Sequence, residues 1–143
     1  MASLTGATAL ITLTIPGLFS SPQQLQGFAA DDIYDVDQQV ITETLMGVDG
    51  ILSGGFVLVA VKQNITLQSD SASNAIFEQW AAIQRQNRDS LTANGYTALK
   101  ALGRAYRSTK GFLTDYPPVP SVGKLIKPRK YSITWESVLA VPI

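Results

Sequence analysis

Four carboxylates crowd into seven residues, Asp31, Asp32, Asp35 and Asp37. Clustered carboxylates suit a hard cation such as calcium, yet the run lacks the central glycine and the closing bidentate glutamate of an EF-hand loop. A pair of them could share glycosidase-type acid and base work, which needs a spatial separation that sequence does not define. A solvated acidic hairpin, or the negative side of a contact between subunits, accounts for the cluster without either chemistry. Gly47, Asp49, Gly50, Gly54 and Gly55 suggest a phosphate cradle, but the Lys-Ser/Thr pair that completes a P-loop is missing. Asp-Gly and closely spaced glycines instead predict a flexible loop over residues 46–55. Lys124, Lys127, Arg129 and Lys130, close to Tyr131 and Trp135, could track a nucleic-acid backbone. Because the whole chain is neutral, these bases fit a solvated loop or a carboxylate-rich partner better than sequence readout.

The chain contains no histidine and no cysteine. Ser-His relays, thiol nucleophiles, disulfides and the usual zinc, haem and non-haem iron ligand sets are therefore ruled out. Carboxylate, lysine or tyrosine chemistry is all that is left. The sequence supplies no constellation for it, so no cofactor, no metal and no catalysis are expected.

Zero net charge conceals a division. Residues 1–80 hold eight carboxylates (the four above with Glu43, Asp49, Asp70 and Glu78) against Lys62, or 1 − 8 = −7. Residues 81–143 hold ten bases against Asp89, Asp115 and Glu136, or 10 − 3 = +7. If the fold keeps the signs apart, one surface of a copy attracts the opposite surface of the next, a recipe for head-to-tail association. If the halves interleave, the charges neutralise one another within a monomer.

With 143 residues the chain has the size of one domain, expected to span 1–143 and to bury roughly two-thirds of its unfolded surface. Charged residues make up 15% and hydrophobic ones 45%. That is leaner in charge than the roughly 25% of an average soluble domain, so part of the exterior is expected to be covered by partners. No run reaches the roughly 18 apolar residues of a membrane span, and no base precedes the apolar residues 9–19, so folding in the cytoplasm is expected.

Alternating apolar and polar residues predict strands over 9–15 and 131–141, the second with Tyr131, Ile133, Trp135, Leu139 and Val141 on one face. Residues 23–28, 33–37 and 39–45 read as shorter extended segments. The run 56–68 reads as one long strand, apolar on both faces at its start (Phe56, Leu58 and Ala60 facing away from Val57 and Val59) and on one face later. Its first half then needs a cover, from a helix of the same chain or from a neighbouring subunit. Ser71 and Ser73 offer N-caps to a helix whose Ile76, Phe77, Trp80 and Ile83 form a core stripe. Beyond it, Leu91, Ala98, Leu99, Leu102 and Tyr106 could lie on a helix, but Asn94-Gly95 and Gly103 interrupt and favour a turn, then strands near 96–102 and 105–114, an extended proline-rich link at 117–120 and a basic loop. The sum is a mainly β fold of seven or eight strands with one helix.

Several phrases, in this order, resemble the tail tube proteins of contractile-tailed bacteriophages: Leu25-Gln26-Gly27-Phe28-Ala29-Ala30-Asp31-Asp32, then Gly47-Val48-Asp49-Gly50, then the strand-to-helix passage Ile65-Thr66-Leu67-Gln68-Ser69-Asp70-Ser71-Ala72-Ser73-Asn74. Gly111-Phe112-Leu113-Thr114, Pro117-Pro118-Val119-Pro120 and Tyr131-Ser132-Ile133-Thr134-Trp135-Glu136 extend the match over most of the chain. The resemblance implies a small β-barrel or sandwich flanked by one helix, joined into hexameric rings that stack into a hollow tube carrying DNA. It implies contacts with tail sheath, baseplate and terminator proteins, a place in the virion tail after assembly in the host cytoplasm, and residues 47–55 as the stacking element. Other parts of the same machinery, a tail terminator, a baseplate component or a secretion-system or tailocin tube, are alternatives, as is a small β-barrel that binds an apolar ligand.

Overall fold

A computed structural model of the chain describes residues 9–28 and 34–142. These residues form nine strands and one α-helix: β1 (Ala9–Ile15), β2 (Phe19–Gln24), β3 (Tyr34–Val36), β4 (Thr42–Met46), β5 (Leu52–Phe56), β6 (Val61–Leu67), α1 (Asn74–Asn87), β7 (Ala93–Leu99), β8 (Arg104–Asp115) and β9 (Arg129–Pro142). Seven strands form an antiparallel sheet in the order β2-β1-β7-β8-β9-β6-β3, while β4 and β5 pair only with each other. The chain after β2 crosses to the far border of the sheet, where Phe28 bridges Leu67 and the Gln68 N–H bonds the Gly27 carbonyl at 2.8 Å. The sheet is thereby rolled around its own apolar face, which agrees with the mainly β, single-helix expectation.

Period-2 alternation selects what lies inside. Ile11, Leu13 and Ile15 of β1, Ile65 and Leu67 of β6, and Tyr131, Ile133 and Trp135 of β9 are all buried. Helix α1 closes one end of the roll with Ile76, Phe77 and Trp80, its Phe77 ring stacked on Tyr131 with centroids 4.1 Å apart. Burying each of these aromatic side chains contributes roughly 2–3 kcal/mol. The Trp80 indole N–H bonds the Leu91 carbonyl at 3.0 Å, tying the helix to the segment that leads into β7.

Several expectations are corrected. Ser73 does not cap the helix with its side chain: its Oγ accepts the Gln26 N–H at 2.8 Å, while Ser71 Oγ accepts the Ser73 N–H at 3.2 Å and donates to the Gln26 carbonyl. Both hydroxyls dock the helix start onto the segment after β2, a tertiary demand stronger than local capping. Asn94-Gly95 lies within β7, because the Trp135 ring approaches the strand so closely that a Cβ at Gly95 would lie 2.8 Å from it. The chain reverses later, through a 3-10 turn at Lys100–Leu102 and Gly103. The run 56–68 is not one strand: β5 ends at Phe56, β6 begins at Val61, and α1 covers the other end of β6. Phe56 and Leu58 are 78% and 88% exposed, so no helix among the described residues covers the first half. Residues 46–55 are not a loop but the inner part of a regular β4–β5 hairpin.

Strand β8 breaks its own alternation. Its register against β7 slips between Ala93↔Gly111 and Gly95↔Ser108, and Lys110 takes a positive φ of 50° at the slip. Strand β9 follows β8 through this kink. Val138 and Ala140 therefore join Trp135 on the inner side, and Leu139, expected there from simple alternation, is exposed.

Candidate assembly interface

The β4–β5 hairpin projects as an arm whose residues are all exposed. Its turn is built by the residues that suggested a loop. Gly47 N–H bonds the Ile51 carbonyl at 2.8 Å, the Asp49 carboxylate accepts the Ile51 N–H at 3.1 Å, and Gly50 holds a φ of 82° that glycine adopts without strain. Gly54 and Gly55 lie in β5 opposite Thr44 and Glu43. The register places Met46, Leu52 and Phe56 on one face of the arm, with Leu45 on the other and Val48 at the tip. At the root, the Gln39 side-chain amide donates to the carbonyls of Val59 and Ala60, both at 3.2 Å, and clamps the two legs together.

Asp31 and Asp32 lie outside the described residues. Asp35 and Asp37 face Asn64: its amide donates to Asp35 at 2.6 Å and to Asp37 at 3.3 Å, while its carbonyl accepts the Ser132 hydroxyl at 2.7 Å. These carboxylates thus end a hydrogen-bonded line across β3, β6 and β9. Among the described residues, no group of three or more histidine, cysteine or acidic side chains is placed to hold a metal ion.

Lys124, Lys127 and Lys130 are exposed, the first two in the loop before β9 and the third near the start of that strand. Arg129 departs from its neighbours. It is 5% exposed, donates to Glu78 at 2.6 Å and to the Pro117 carbonyl at 2.7 Å, and lies over the Tyr131 ring. Burial works against its charge, and the Glu78 hydrogen bond with the electrostatics of Tyr131 and Glu78 outweighs it, so its pKa is raised. Arg129 therefore binds α1 to β9 inside the monomer and is not a surface group. Burial also pushes the Tyr131 phenol up to about 12, against the lowering effect of Arg129. The Tyr131 hydroxyl lies 2.9 Å from Asn74 Oδ1.

Few ion pairs between described residues join the two halves of the sequence. Among the described residues, Glu78 is the one acid of the first 80 that pairs with a base of the remainder. The arm carries Glu43 and Asp49 and no base, whereas residues 93–114 carry Lys100, Arg104, Arg107 and Lys110 and no acid, all four exposed.

At the end of the roll opposite α1 lies a cavity of about 470 Å³. Val36, Val61, Leu99, Val138 and Ala140 form much of its apolar wall and Trp135 contributes its ring. Tyr34 and Tyr106 bring their phenols to the same space, and burial first, with the proximity of Tyr106 second, raises the Tyr34 pKa. Trp135 is fixed by its indole N–H to Gln63 Oε1 at 2.9 Å. Nothing in the sequence singled out this site, because the β8–β9 kink changes which residues face inward. The positive φ at Lys110 has no compositional mark.

The family model described as "Tail fiber protein gp32" matches residues 2–139. Among solved structures, the chain is similar to a protein in the 6-fold symmetrised baseplate of the anti-feeding prophage, at 8% identity over 94% of this chain and 92% of that one, with a TM-score of 0.61. It is similar to one in the tube-terminating cap of the same particle, at 10% identity over 100% and 93%, TM-score 0.62. A protein of the sheath-tube complex of an extracellular contractile injection system matches at 10% identity over 93% and 88%, TM-score 0.51. No curated protein sequence matches this chain. At such identities the likeness is one of fold. Among the described residues no helix is long and apolar enough to cross a membrane. With the family match spanning nearly the whole sequence and the fold shared with contractile-tail components, this chain belongs to the tail fiber protein gp32 family and is a structural protein of the bacteriophage tail.

Proposed function

We propose that the protein is a tail tube subunit that works by assembling with copies of itself into rings of six, stacked head-to-tail around a channel through which DNA passes without sequence readout. One observation carries this reading: a two-stranded arm exposes Leu45, Met46, Val48, Leu52 and Phe56, and among the described residues its strands pair only with each other. An isolated hairpin is marginal in water, and a contiguous apolar surface marks an interaction site. Acidic residues on the arm, and bases on β8 and the turn before it, support head-to-tail geometry over face-to-face pairing. Asp35, Asp37, Lys124, Lys127 and Lys130 are further candidates for contacts between copies or with sheath, baseplate and terminator proteins, and the arm tip Gly47–Gly50 is the candidate stacking element. No turnover of substrate belongs to this reading, which places the protein in the virion after assembly in the host cytoplasm.

Electron microscopy of the concentrated protein tests it. Rings or open-ended tubes are expected, with assembly that weakens as salt rises, because exposed charges are screened over about 10 Å at 0.1 M ionic strength. A monomer at millimolar concentration, indifferent to salt, would refute it. The similarity to baseplate and cap components supports a second reading, a single terminal ring of the tail, for which closed rings that do not stack are the expected images.

A further inference from the structure

Strand β9 is longer on one side than on the other. It pairs with β8 as far as Pro142, but its pairing with β6 stops at Trp135↔Val61, where the chain leaves the sheet for the arm. Among the described residues, 136–142 thus have no strand along their second edge, and that open edge borders the apolar cavity through Val138 and Ala140. The result is a slot with unpaired main-chain groups on one side and an apolar wall inside, which suits an added extended segment.

We propose that this slot receives the arm of a second copy of the chain, with Met46, Leu52 and Phe56 turned into the cavity. The inference rests on the self-assembly reading above and names the acceptor for it. The arm's own chain does not fill the slot: every residue of β4 and β5 is exposed, although the arm's root, clamped by Gln39, lies at the cavity's border. Charge complementarity identifies the occupant. Glu43 and Asp49 on the arm approach a border that carries Lys100, next to the cavity-lining Leu99, and Arg104, paired opposite Leu99, whereas two arms would repel each other. Donor and acceptor are different surfaces of one chain, so the contact is heterologous and propagates, as a ring or a stack requires.

Because the chain has no cysteine, engineered thiols report the contact without background. Met46→Cys and Ala140→Cys are made in separate chains, both at exposed positions that leave the core intact. Mixed under mild oxidation, they are expected to form a disulfide-linked heterodimer at least about tenfold faster than either chain links to itself, and excess wild-type protein should compete. In parallel, Ala140→Trp fills the slot and Leu52→Asp spoils the arm. Each alone is expected to lose assembly while keeping its circular dichroism spectrum, and the two mixed should form a 1:1 complex in sedimentation, through the intact arm of one and the open slot of the other. Rings or tubes without the 46–140 link, or unhindered assembly of Ala140→Trp, overturn the inference and leave the tube reading standing. The link in a chain that never forms rings supports the inference and removes the tube reading. Uptake of a fluorescent hydrophobe by the cavity, undisturbed by wild-type arms, assigns the slot to a small ligand and likewise overturns it.

Discussion

Replacing Gly111 by alanine drives a methyl group into the wall of the cavity. A Cβ there would lie 2.4 Å from Cε3 and Cζ3 of Trp135 and 3.0 Å from Cγ2 of Ile133. Carbon atoms pack at about 3.5–4.0 Å, so ring or backbone has to move by about 1 Å. Two directions are closed to the ring. Its indole N–H is bonded to Gln63, and its far edge already lies against Gly95, where a Cβ would be 2.8 Å from Cη2. Overpacking of this kind costs about 1–3 kcal/mol, and the blocked exits place Gly111→Ala in the upper half of that range. For a chain of this length each kcal/mol lowers the melting temperature by about 2–4 °C, so a fall of about 4–12 °C is expected. Urea unfolding followed by tryptophan fluorescence measures it, with Trp135 as an internal reporter. Adding Trp135→Phe removes the colliding carbons, so the double variant should lose less than the sum of the singles, with a coupling of at least about 1 kcal/mol. A loss under about 0.5 kcal/mol for Gly111→Ala, with unchanged emission, would refute the claim that Trp135 is locked.

Three further outcomes follow from other parts of the structure. The Tyr131 phenol is pushed up to about 12 from an ordinary value near 10, so the folded state keeps its proton where the unfolded chain has lost it. Its contribution is complete below pH 10 and is lost as pH rises toward 12, an order of about 2–3 kcal/mol; a denaturation series in which Tyr131→Phe falls as steeply as wild type across that window would refute the assignment. Arg88 ends α1 with a left-handed φ of 51°, so Arg88→Gly should raise stability by about 0.5–1 kcal/mol, and a lower melting temperature would contradict this. Glu78→Ala strands the buried Arg129 guanidinium and should cost about 2–3 kcal/mol, read by the shift of the urea midpoint, whereas no shift would mean that solvent replaces the carboxylate.

Period-2 alternation was sufficient to locate β1 and β9, and the stripe Ile76, Phe77 and Trp80 to locate α1, because burial on one face leaves a periodic trace in the residues themselves. Short strands were less legible. β2 begins at Phe19, where residues 23–28 had been expected to be extended, since its pairing with β1 rather than its own composition makes it a strand. Charge segregation and the glycines of the arm were also visible, though not that the glycines belong to a paired hairpin, because a hairpin with no buried face has no alternation to display.

Composition by itself determined that this protein has no thiol or imidazole chemistry and that its two halves carry opposite charge; local pattern determined a mainly β chain with one helix. Tertiary structure alone decided that Arg129 is internal, that Ser73 docks the helix start instead of capping it, and that a kink at Lys110 turns Val138 and Ala140 toward a cavity. The physical reason is common to all three. Each depends on which distant backbone supplies a partner or a space, and contacts between residues tens of positions apart leave no periodic trace in the chain.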